Sequence, residues 1–282
     1  MALRRRTAAS TGLDALRGFC LILILLAVLG PYIVMLLTSL TPQEELSTAG
    51  ARIIPSRVSL AGYRELIGTT NFLQYLRNSA TVALMAVPIT LSVSTCAAIA
   101  LSRFTFKGRR SFMTGLILAQ MFPAVLLVIS LQGQLRGLGL MNTRPGLALV
   151  HAAFATPFAT WLLKGFADGI PKELDEAGRI DGASAWQIIR YLILPLLLPG
   201  LVAAGTYAFI LTWNEFLYAL TFTSSPATRT LPVGLQLFIG EYQIRWDLLT
   251  AGGVLSVLPV IVGFLIVQKQ LVAGLASGAV KG

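Results

Sequence analysis

The sequence predicts an all-α membrane protein with six transmembrane helices, and three observations support this fold class. Of the 282 residues, 55% are hydrophobic and only 12% are charged, whereas about 25% of residues are charged in an average soluble domain. The mean hydropathy is +0.76. The charged residues lie in short clusters that separate six long charge-free runs. We therefore expect lipid to surround most of this chain.

Each charge-free run is long enough to cross the membrane as a helix. A helix needs about 20 apolar residues to cross a hydrocarbon core of about 30 Å, and its backbone polar groups have to be paired within the segment. Prolines at positions 88, 123 and 157 predict kinks in the second, third and fourth spans. The first run is too long for the core of a cleaved signal peptide. We predict one membrane domain covering residues 1–282, with spans at about 18–40, 78–102, 112–134, 145–164, 191–214 and 248–268.

The distribution of Lys and Arg predicts that both termini are cytoplasmic. With six spans the termini share one side of the membrane, and that side carries 14 of the 22 basic residues. Cytoplasmic loops carry the excess of basic residues in membrane proteins. The strongest single signal is the short segment 103–110, which contains four basic residues and no acidic residue.

The composition disfavours several classes of function. The net charge is +10 and the pI is about 10.1, but a nucleic-acid partner needs a basic face on a soluble fold, so we expect none. One histidine and two cysteines without a CxxC pair argue against a metal or redox site. No Gly-Lys dipeptide occurs, so the chain has no P-loop for ATP. Asp175 and Glu176 are adjacent on a predicted helix and do not converge on one substrate. We expect no catalytic residue, no metal and no cofactor bound by this chain.

The loop between the fourth and fifth spans, residues 164–190, is predicted to contain a short amphipathic helix. Pro171 suits the first position of a helix, and Glu173 lies in that first turn, where the helix dipole favours an acidic side chain. Ile170, Leu174 and Ala177 recur at positions i, i+4 and i+7 and form a narrow apolar stripe.

A second helix is predicted after a turn at Gly182. Ser184 followed by Gln187 indicates a capping box, and this helix is expected to continue into the fifth span until Pro195. A short helix at the cytoplasmic face could rest on lipid or dock into a groove of a soluble partner. Anionic lipid repels acidic residues, which favours docking. The loop carries five of them, Asp168, Glu173, Asp175, Glu176 and Asp181.

The same loop resembles the cytoplasmic signature of the permeases of ABC importers. That signature is Glu-Ala-Ala, three residues, Gly, nine residues and Ile-x-Leu-Pro. Here Glu176-Ala177-Gly178 is followed at the same spacing by Gly182 and by Leu192-Ile193-Leu194-Pro195. Two positions depart from the pattern, because Gly178 replaces the second Ala and Leu192 replaces Ile.

Further segments resemble the smaller, six-span partner in maltose-type carbohydrate permeases. They are Trp213-Asn214-Glu215-Phe216, Leu231-Pro232-Val233-Gly234-Leu235 and the C-terminal Gly274-Leu275-Ala276-Ser277-Gly278-Ala279-Val280-Lys281-Gly282. The resemblance implies a carbohydrate importer of the bacterial plasma membrane, with di- or oligosaccharides such as maltose or trehalose as substrates. It also implies a second, different permease subunit, an ATPase dimer that holds ATP and Mg²⁺, and an extracytoplasmic sugar-binding protein.

The resemblance assigns expected roles to three groups of residues. The signature helix is expected to sit in a cleft of the ATPase, through Ile170, Leu174, Asp175, Glu176, Ala177, Gly178, Asp181, Gly182 and Ala183. The third outer loop is expected to enter the cleft of the binding protein, through Gly240, Glu241, Tyr242, Gln243 and Trp246. The C-terminal tail is expected to reach the ATPase dimer interface, through Gly278, Val280, Lys281 and Gly282.

Polar residues near the spans are candidates for a cavity that substrate crosses. These are His151, Trp213, Asn214 and Glu215, although His151 also fits a hydrogen-bonded residue at a helix interface. The alternatives for function are an ABC permease for another polar solute such as glycerol phosphate, and an ion-driven secondary carrier or channel. Carriers of that kind need ionisable groups within the membrane, and the six runs contain almost none.

Overall fold

The computed structural model describes residues 8–47, 54–240 and 242–279, which form helices joined by turns and one isolated β-bridge. Its helices are α1 (Ala8–Ser39), α2 (Gln43–Leu46), α3 (Ala61–Thr69), α4 (Phe72–Arg103), α5 (Arg109–Gln120), α6 (Ala124–Gly137), α7 (Arg144–Asp168), α8 (Glu173–Ile180), α9 (Ala185–Ile188), α10 (Leu194–Leu196), α11 (Leu198–Asn214), α12 (Leu217–Phe222), α13 (Leu231–Gln236) and α14 (Trp246–Ala279). A π-helical turn, Ile189–Ile193, joins α9 to α10.

Four helices of the described chain are long and apolar enough to cross a membrane, and two bent helix pairs raise the number to six if each pair is one span. The four lie at the predicted first, second, fourth and sixth spans, as Leu16–Ser39, Phe72–Arg103, Arg144–Asp168 and Trp246–Gln268. The third predicted span is divided into α5 and α6 with a bend of 99°, and the fifth bends by 71° before α11.

The two bends have different local causes. The first follows α5, where Pro123 occupies the N-cap of α6 in an extended conformation, and a proline cannot continue the preceding helix because it lacks an N–H. The second lies at Leu197, and Pro199 occupies the first turn of α11. Pro195, where the second helix of the loop was predicted to stop, is instead inside α10.

The described chain divides into two compact units, Met1–Thr70 with Leu235–Val257, and Asn71–Gly234 with Leu258–Gly282. In the first unit, Leu66 of α3 is fully buried. The hydroxyls of Ser39 and Tyr63 lie 2.7 Å apart. Gln43 Nε2 donates a hydrogen bond of 2.9 Å to the carbonyl of Ile244. The Ser39 contact ties the end of α1 to α3, and the Gln43 contact ties α2 to the segment before α14.

The second unit is built around α4 and α7, with α11 packed on both. Small buried residues of α7, among them Ala152, Ala155 and Ala159, let the helices approach closely, as is common in membrane bundles. One core cluster joins α4, α6, α7, α12 and α13. A second joins α4, α7, the π-helical turn and α11, and it also contains Ile170 and Ile188 from the loop that precedes the fifth span.

The two ends of this unit are far apart, because α4 has 32 residues and so measures about 48 Å. At one end, Asn142 Oδ1 accepts hydrogen bonds from the backbone of Ser224 and the hydroxyl of Thr228. Asn78 Nδ2 donates to the carbonyls of Pro226 and Arg229 at the same end. The C-terminal end of α4 lies against α8, where the candidate site is found.

Candidate functional site

Helix α8 ends in a glycine turn of the predicted kind. Gly182 has φ +79°, a conformation that costs little only for glycine. The Gly182 N–H donates to the carbonyl of Arg179, and the Ala183 N–H donates to the carbonyl of Gly178. These two bonds form a Schellman motif that satisfies the last carbonyls of the helix. The helix begins at Glu173, so Pro171 precedes it by two residues instead of occupying its first position.

The predicted capping box opens α9. The Ser184 N–H donates to Gln187 Oε1 at 2.7 Å, and the Gln187 N–H donates to Ser184 Oγ at 3.4 Å. The box satisfies two of the donors that a helix N-terminus leaves unpaired. It fixes the direction in which the chain leaves the glycine turn.

The inner face of this helical corner packs against the rest of the second unit. Ile170 is buried in the second core cluster, which revises its predicted place in an exposed apolar stripe. Gly178 is also buried, and a Cβ at this position would lie 3.1 Å from side-chain atoms of Ile188 and Leu192. Gly178, which replaces the second alanine of the signature, therefore lies where α8 packs closely against Ile188 of α9 and Leu192 of the π-helical turn.

The outer face of the corner exposes large apolar side chains. Ile180 is 86% exposed, Trp186 is 64% exposed and Leu174 is 38% exposed. Sequence reasoning missed Ile180 and Trp186. Leu174, Ala177 and Ile180 are spaced by three residues, and that periodicity was the available signal. The exposed apolar face consists of Leu174, Ala177, Ile180 and Trp186, and we call it the docking face.

A buried ion pair joins α8 to α4. Arg103 Nε lies 2.8 Å from Asp175 Oδ2, and the two side chains are only 7% and 14% exposed. Arg103 Nη1 also donates to the carbonyl of Ala167 at 3.0 Å, near the end of α7. In the sequence, Arg103 was used only as one of the basic residues that indicate membrane topology. Its partner Asp175 lies 72 positions later in the chain, so no local pattern links the two residues. Of the other predicted residues, Glu176, Asp181 and Gly182 are exposed.

Two of the four cavity candidates, His151 and Glu215, form a buried polar contact at the end of α11. His151 Nε2 lies 3.1 Å from Glu215 Oε2, and the His151 side chain is fully buried. The Glu215 carboxylate also accepts hydrogen bonds from the backbone N–H groups of Tyr218 and Ala219, at 2.8 and 3.0 Å. Glu215 therefore caps α12.

Trp213 and Asn214 face different surroundings from this pair. Trp213 is buried, and Asn214 is exposed, with its side chain donating to the carbonyl of Ile210. A substrate-contacting role for the four cavity candidates stays a prediction.

The predicted binding-protein segment is a short projecting turn in the first unit. Ile239 and Ile244 form an antiparallel β-bridge, and Tyr242 at the tip is 94% exposed. A Cβ on Gly240 would lie 2.8 Å from the carbonyl oxygen of Gln243, so the turn is tight. Trp246 begins α14. Glu241 lies outside the described residues.

The base of this turn is held by Arg245, another residue that the sequence did not single out. Its guanidinium donates to both carboxylate oxygens of Glu65, at 2.9 and 2.7 Å, and to both of Asp247. The hydrogen bonds to Glu65 and Asp247 raise the pKa of Arg245. The turn is therefore fixed to α3 by a bidentate charged contact.

The remaining predicted sites are only partly covered by the structure. Gly278 is in the last turn of α14, and Val280, Lys281 and Gly282 lie outside the described residues. Among the residues described, no group of three or more His, Cys, Asp or Glu is placed to hold a metal ion.

Comparison with known proteins agrees with the loop signature. Residues 93–277 match the family described as the inner membrane component of binding-protein-dependent transport systems. The chain is 35% identical to the sulfoquinovosyl glycerol transport system permease protein SmoH of Agrobacterium fabrum, over 98% of this chain and 99% of that protein. It is 36% identical to the trehalose/maltose transport system permease protein MalG of Thermococcus litoralis, over 93% and 94% of the two chains.

A solved structure of a bacterial ABC transporter involved in the import of the acidic polysaccharide alginate contains a chain of the same fold. The TM-score is 0.79 at 22% sequence identity, over 95% of this chain and 99% of that one. At 22% identity, the structural match supports the fold alone. The sequence matches to SmoH and MalG are 35% and 36% identical and extend over nearly the whole chain. The protein therefore belongs to the family of inner membrane components of binding-protein-dependent transport systems.

Proposed function

We propose that this chain is a permease subunit of an ATP-driven ABC importer for a carbohydrate. Permeases of sugar transport systems match it over most of its length. The observation that carries the proposal furthest is the helical corner, which is anchored to the spans on one side and exposes large apolar side chains on the other. An exposed apolar face of this kind marks an interaction site.

In the proposed assembly, α8 is the coupling helix and the docking face sits in a groove of a separate ATPase subunit. Apolar and aromatic side chains at the centre of an interface supply most of its binding energy. Closure of the ATPases around ATP then moves α8, and the spans attached to α8 move with it. Because a ligand shifts an equilibrium only through different affinities for the two states, ATP acts here through the partner chain.

The proposed topology places the coupling helix in the cytoplasm and the turn at Tyr242 outside. With α8 inside and six spans, both termini are cytoplasmic, and α5–α6 and α9–α11 each cross once as bent spans. The projecting turn is then available to an extracytoplasmic sugar-binding protein. Exposed apolar surface on α5 and α6 and an apolar groove of about 620 Å³ between α4, α11 and α14 support contact with lipid and with a second permease subunit.

The docking proposal is tested by removing the exposed side chains. The double variant Ile180→Ala with Trp186→Ala should reduce co-purification of the ATPase at least tenfold while membrane insertion is unchanged. Val58→Ala is the matched control, because Val58 is an equally exposed apolar residue in the other unit, and it should leave co-purification unchanged. Undiminished ATPase binding by the double variant would contradict the docking face.

The substrate class is tested in proteoliposomes that contain the complete importer and its binding protein. Radiolabelled trehalose, maltose and sulfoquinovosyl glycerol are suitable probes, since relatives are named for these compounds. We expect ATP-dependent uptake of at least one of them. Uptake of glycerol phosphate in place of all three would assign the chain to a different solute, and uptake driven by an ion gradient without ATP would overturn the proposal.

A further inference from the structure

We propose that the ion pair between Arg103 and Asp175 is the junction through which the coupling helix moves the membrane spans. This inference rests on the proposed function and deepens it by naming two positioning residues. Asp175 was predicted to face the ATPase. In the structure its carboxylate points toward the end of α4 instead, and only 14% of the side chain is exposed.

The burial of the pair makes it different from an ordinary surface ion pair. Arg103 Nε and Asp175 Oδ2 are 2.8 Å apart, and the Arg103 side chain is 7% exposed. Exposed ion pairs contribute little because water screens them. A buried pair is costly to break, since removing one partner leaves a charge in a poorly solvated site. The two residues therefore have to move together.

The same guanidinium also holds the end of α7. Arg103 Nη1 donates to the carbonyl of Ala167 at 3.0 Å, and Ala167 is in the last turn of that helix. The same carbonyl accepts a hydrogen bond from the Ile170 N–H, and the helix dipole makes this end attractive to a cation. One side chain thus joins the first turn of α8 to the C-terminal ends of α4 and α7.

The pair also has the property needed to respond to movement of α8. Arg103 Nε, Arg103 Nη2 and Asp175 Oδ1 are buried, and none of the three makes a well-aligned hydrogen bond within the described structure. The contact is therefore a close charge pair without an aligned hydrogen bond, whereas arginine and carboxylate groups can pair through two parallel bonds. A rotation of α8 that aligns the two groups would add those bonds. The interaction then differs in strength between two positions of α8, which is the requirement for biasing a two-state equilibrium.

Apolar packing alone fixes the direction of movement less well. Ile170, Gly178 and Ile188 hold the corner against the spans, but dispersion contacts are individually weak and non-directional. A charged contact between two identified groups depends on both the distance and the orientation of α8 relative to α4. We therefore infer that the apolar residues hold the corner in place and that Arg103 and Asp175 transmit the movement of α8 to α4 and α7.

The experiment uses the complete importer in nanodiscs and measures hydrogen–deuterium exchange with and without ATP plus vanadate. In the wild type, trapping should change exchange in α8 and in the last two turns of α4 and α7. In Arg103→Gln and in Asp175→Asn, the change in α8 should remain, while the changes in α4 and α7 should fall at least fivefold. Lys107→Gln removes an exposed cation four residues from Arg103 and should behave like the wild type.

Each outcome bears on a different part of the inference. Unchanged responses of α4 and α7 in both single variants would overturn the junction. Loss of the response of α8 itself in both variants would mean that the pair only stabilises the corner. If Arg103→Gln fails to assemble, Asp175→Asn decides, because it keeps the shape of the side chain. Failure of the wild-type chain to bind any ATPase would refute the proposed function, and with it the junction.

Discussion

A single glycine sets the angle of the helical corner. Gly182 adopts φ +79° with open space around its α-carbon, so a substitution there is limited by backbone conformation and not by a clash. A left-handed conformation costs about 1–2 kcal/mol for a residue with a β-carbon, and more for a branched one. Gly182→Val should therefore disturb the Schellman turn and move the docking face relative to α9.

The expected result for Gly182→Val is a correctly inserted subunit with weakened ATPase binding and reduced uptake. Co-purification with the ATPase and transport in proteoliposomes measure the two effects. Gly165→Ala is the control, because Gly165 is helical and a Cβ there meets nothing within 4 Å. Wild-type uptake in Gly182→Val would show that the angle of the corner is unimportant for coupling.

A second single residue, Glu215, holds the break between α11 and α12. Its carboxylate accepts from the N–H groups of Tyr218 and Ala219 and contacts His151. Replacing it by alanine leaves buried donors unpaired, which costs about 1–3 kcal/mol per group. We expect Glu215→Ala to lower the Tm of the purified complex by several degrees and Glu215→Gln, which keeps an acceptor, to lower it less. Equal Tm values for the two variants would contradict the capping role.

At the level of helices, α7 and α11 meet at a glycine. A Cβ on Gly200 would lie 2.7 Å from the Phe166 ring, closer than carbon atoms approach in proteins. Overpacking of this kind costs about 1–3 kcal/mol. Gly200→Ala should lower the Tm of the complex, and Gly205→Ala in the same helix should not, because its Cβ would meet Leu91 at an ordinary 3.4 Å. Similar Tm values for both variants would mean that the two helices can separate at no cost.

The sequence predicted the helices better than it predicted their breaks. The Gly182 turn and the capping box at Ser184 follow local rules, and both are present. The bend near Pro123 has a local cause and the proline was recognised as a kink. The break at Leu197 lies two residues before Pro199, whereas the sequence placed the end of the preceding helix at Pro195.

The parts of the candidate site that the sequence missed depend on long-range contacts. Arg103 meets Asp175, and Arg245 meets Glu65, across large separations in the chain. A charge pattern shows that these residues exist but not which charges are paired. Ile170 was placed in the exposed stripe because helical periodicity cannot tell which of two apolar faces is covered by the same chain.

For the protein as a whole, the orientation of the chain is open to a direct test. Lys107 and Tyr242 are both exposed and are predicted on opposite sides of the membrane. In a background of Cys20→Ser and Cys96→Ser, a cysteine in place of Tyr242 should react with a membrane-impermeant maleimide in intact spheroplasts. A cysteine in place of Lys107 should react only after permeabilisation. The reverse pattern would invert the topology and place α8 outside the cell.

The division of labour between subunits gives a prediction for the purified protein. The sequence lacks a Gly-Lys dipeptide, and a P-loop uses that lysine to hold the β- and γ-phosphates. The isolated chain in nanodiscs should therefore show no more ATP hydrolysis than empty nanodiscs. The complex with the ATPase should hydrolyse ATP, and addition of the sugar-loaded binding protein should stimulate the rate. A chain carrying Arg103→Gln should lose most of that stimulation, because in the proposed junction the signal from the binding protein reaches α8 through the ends of α4 and α7. Sustained hydrolysis by the isolated chain would contradict the view that this subunit moves in response to a partner and does not drive the movement itself.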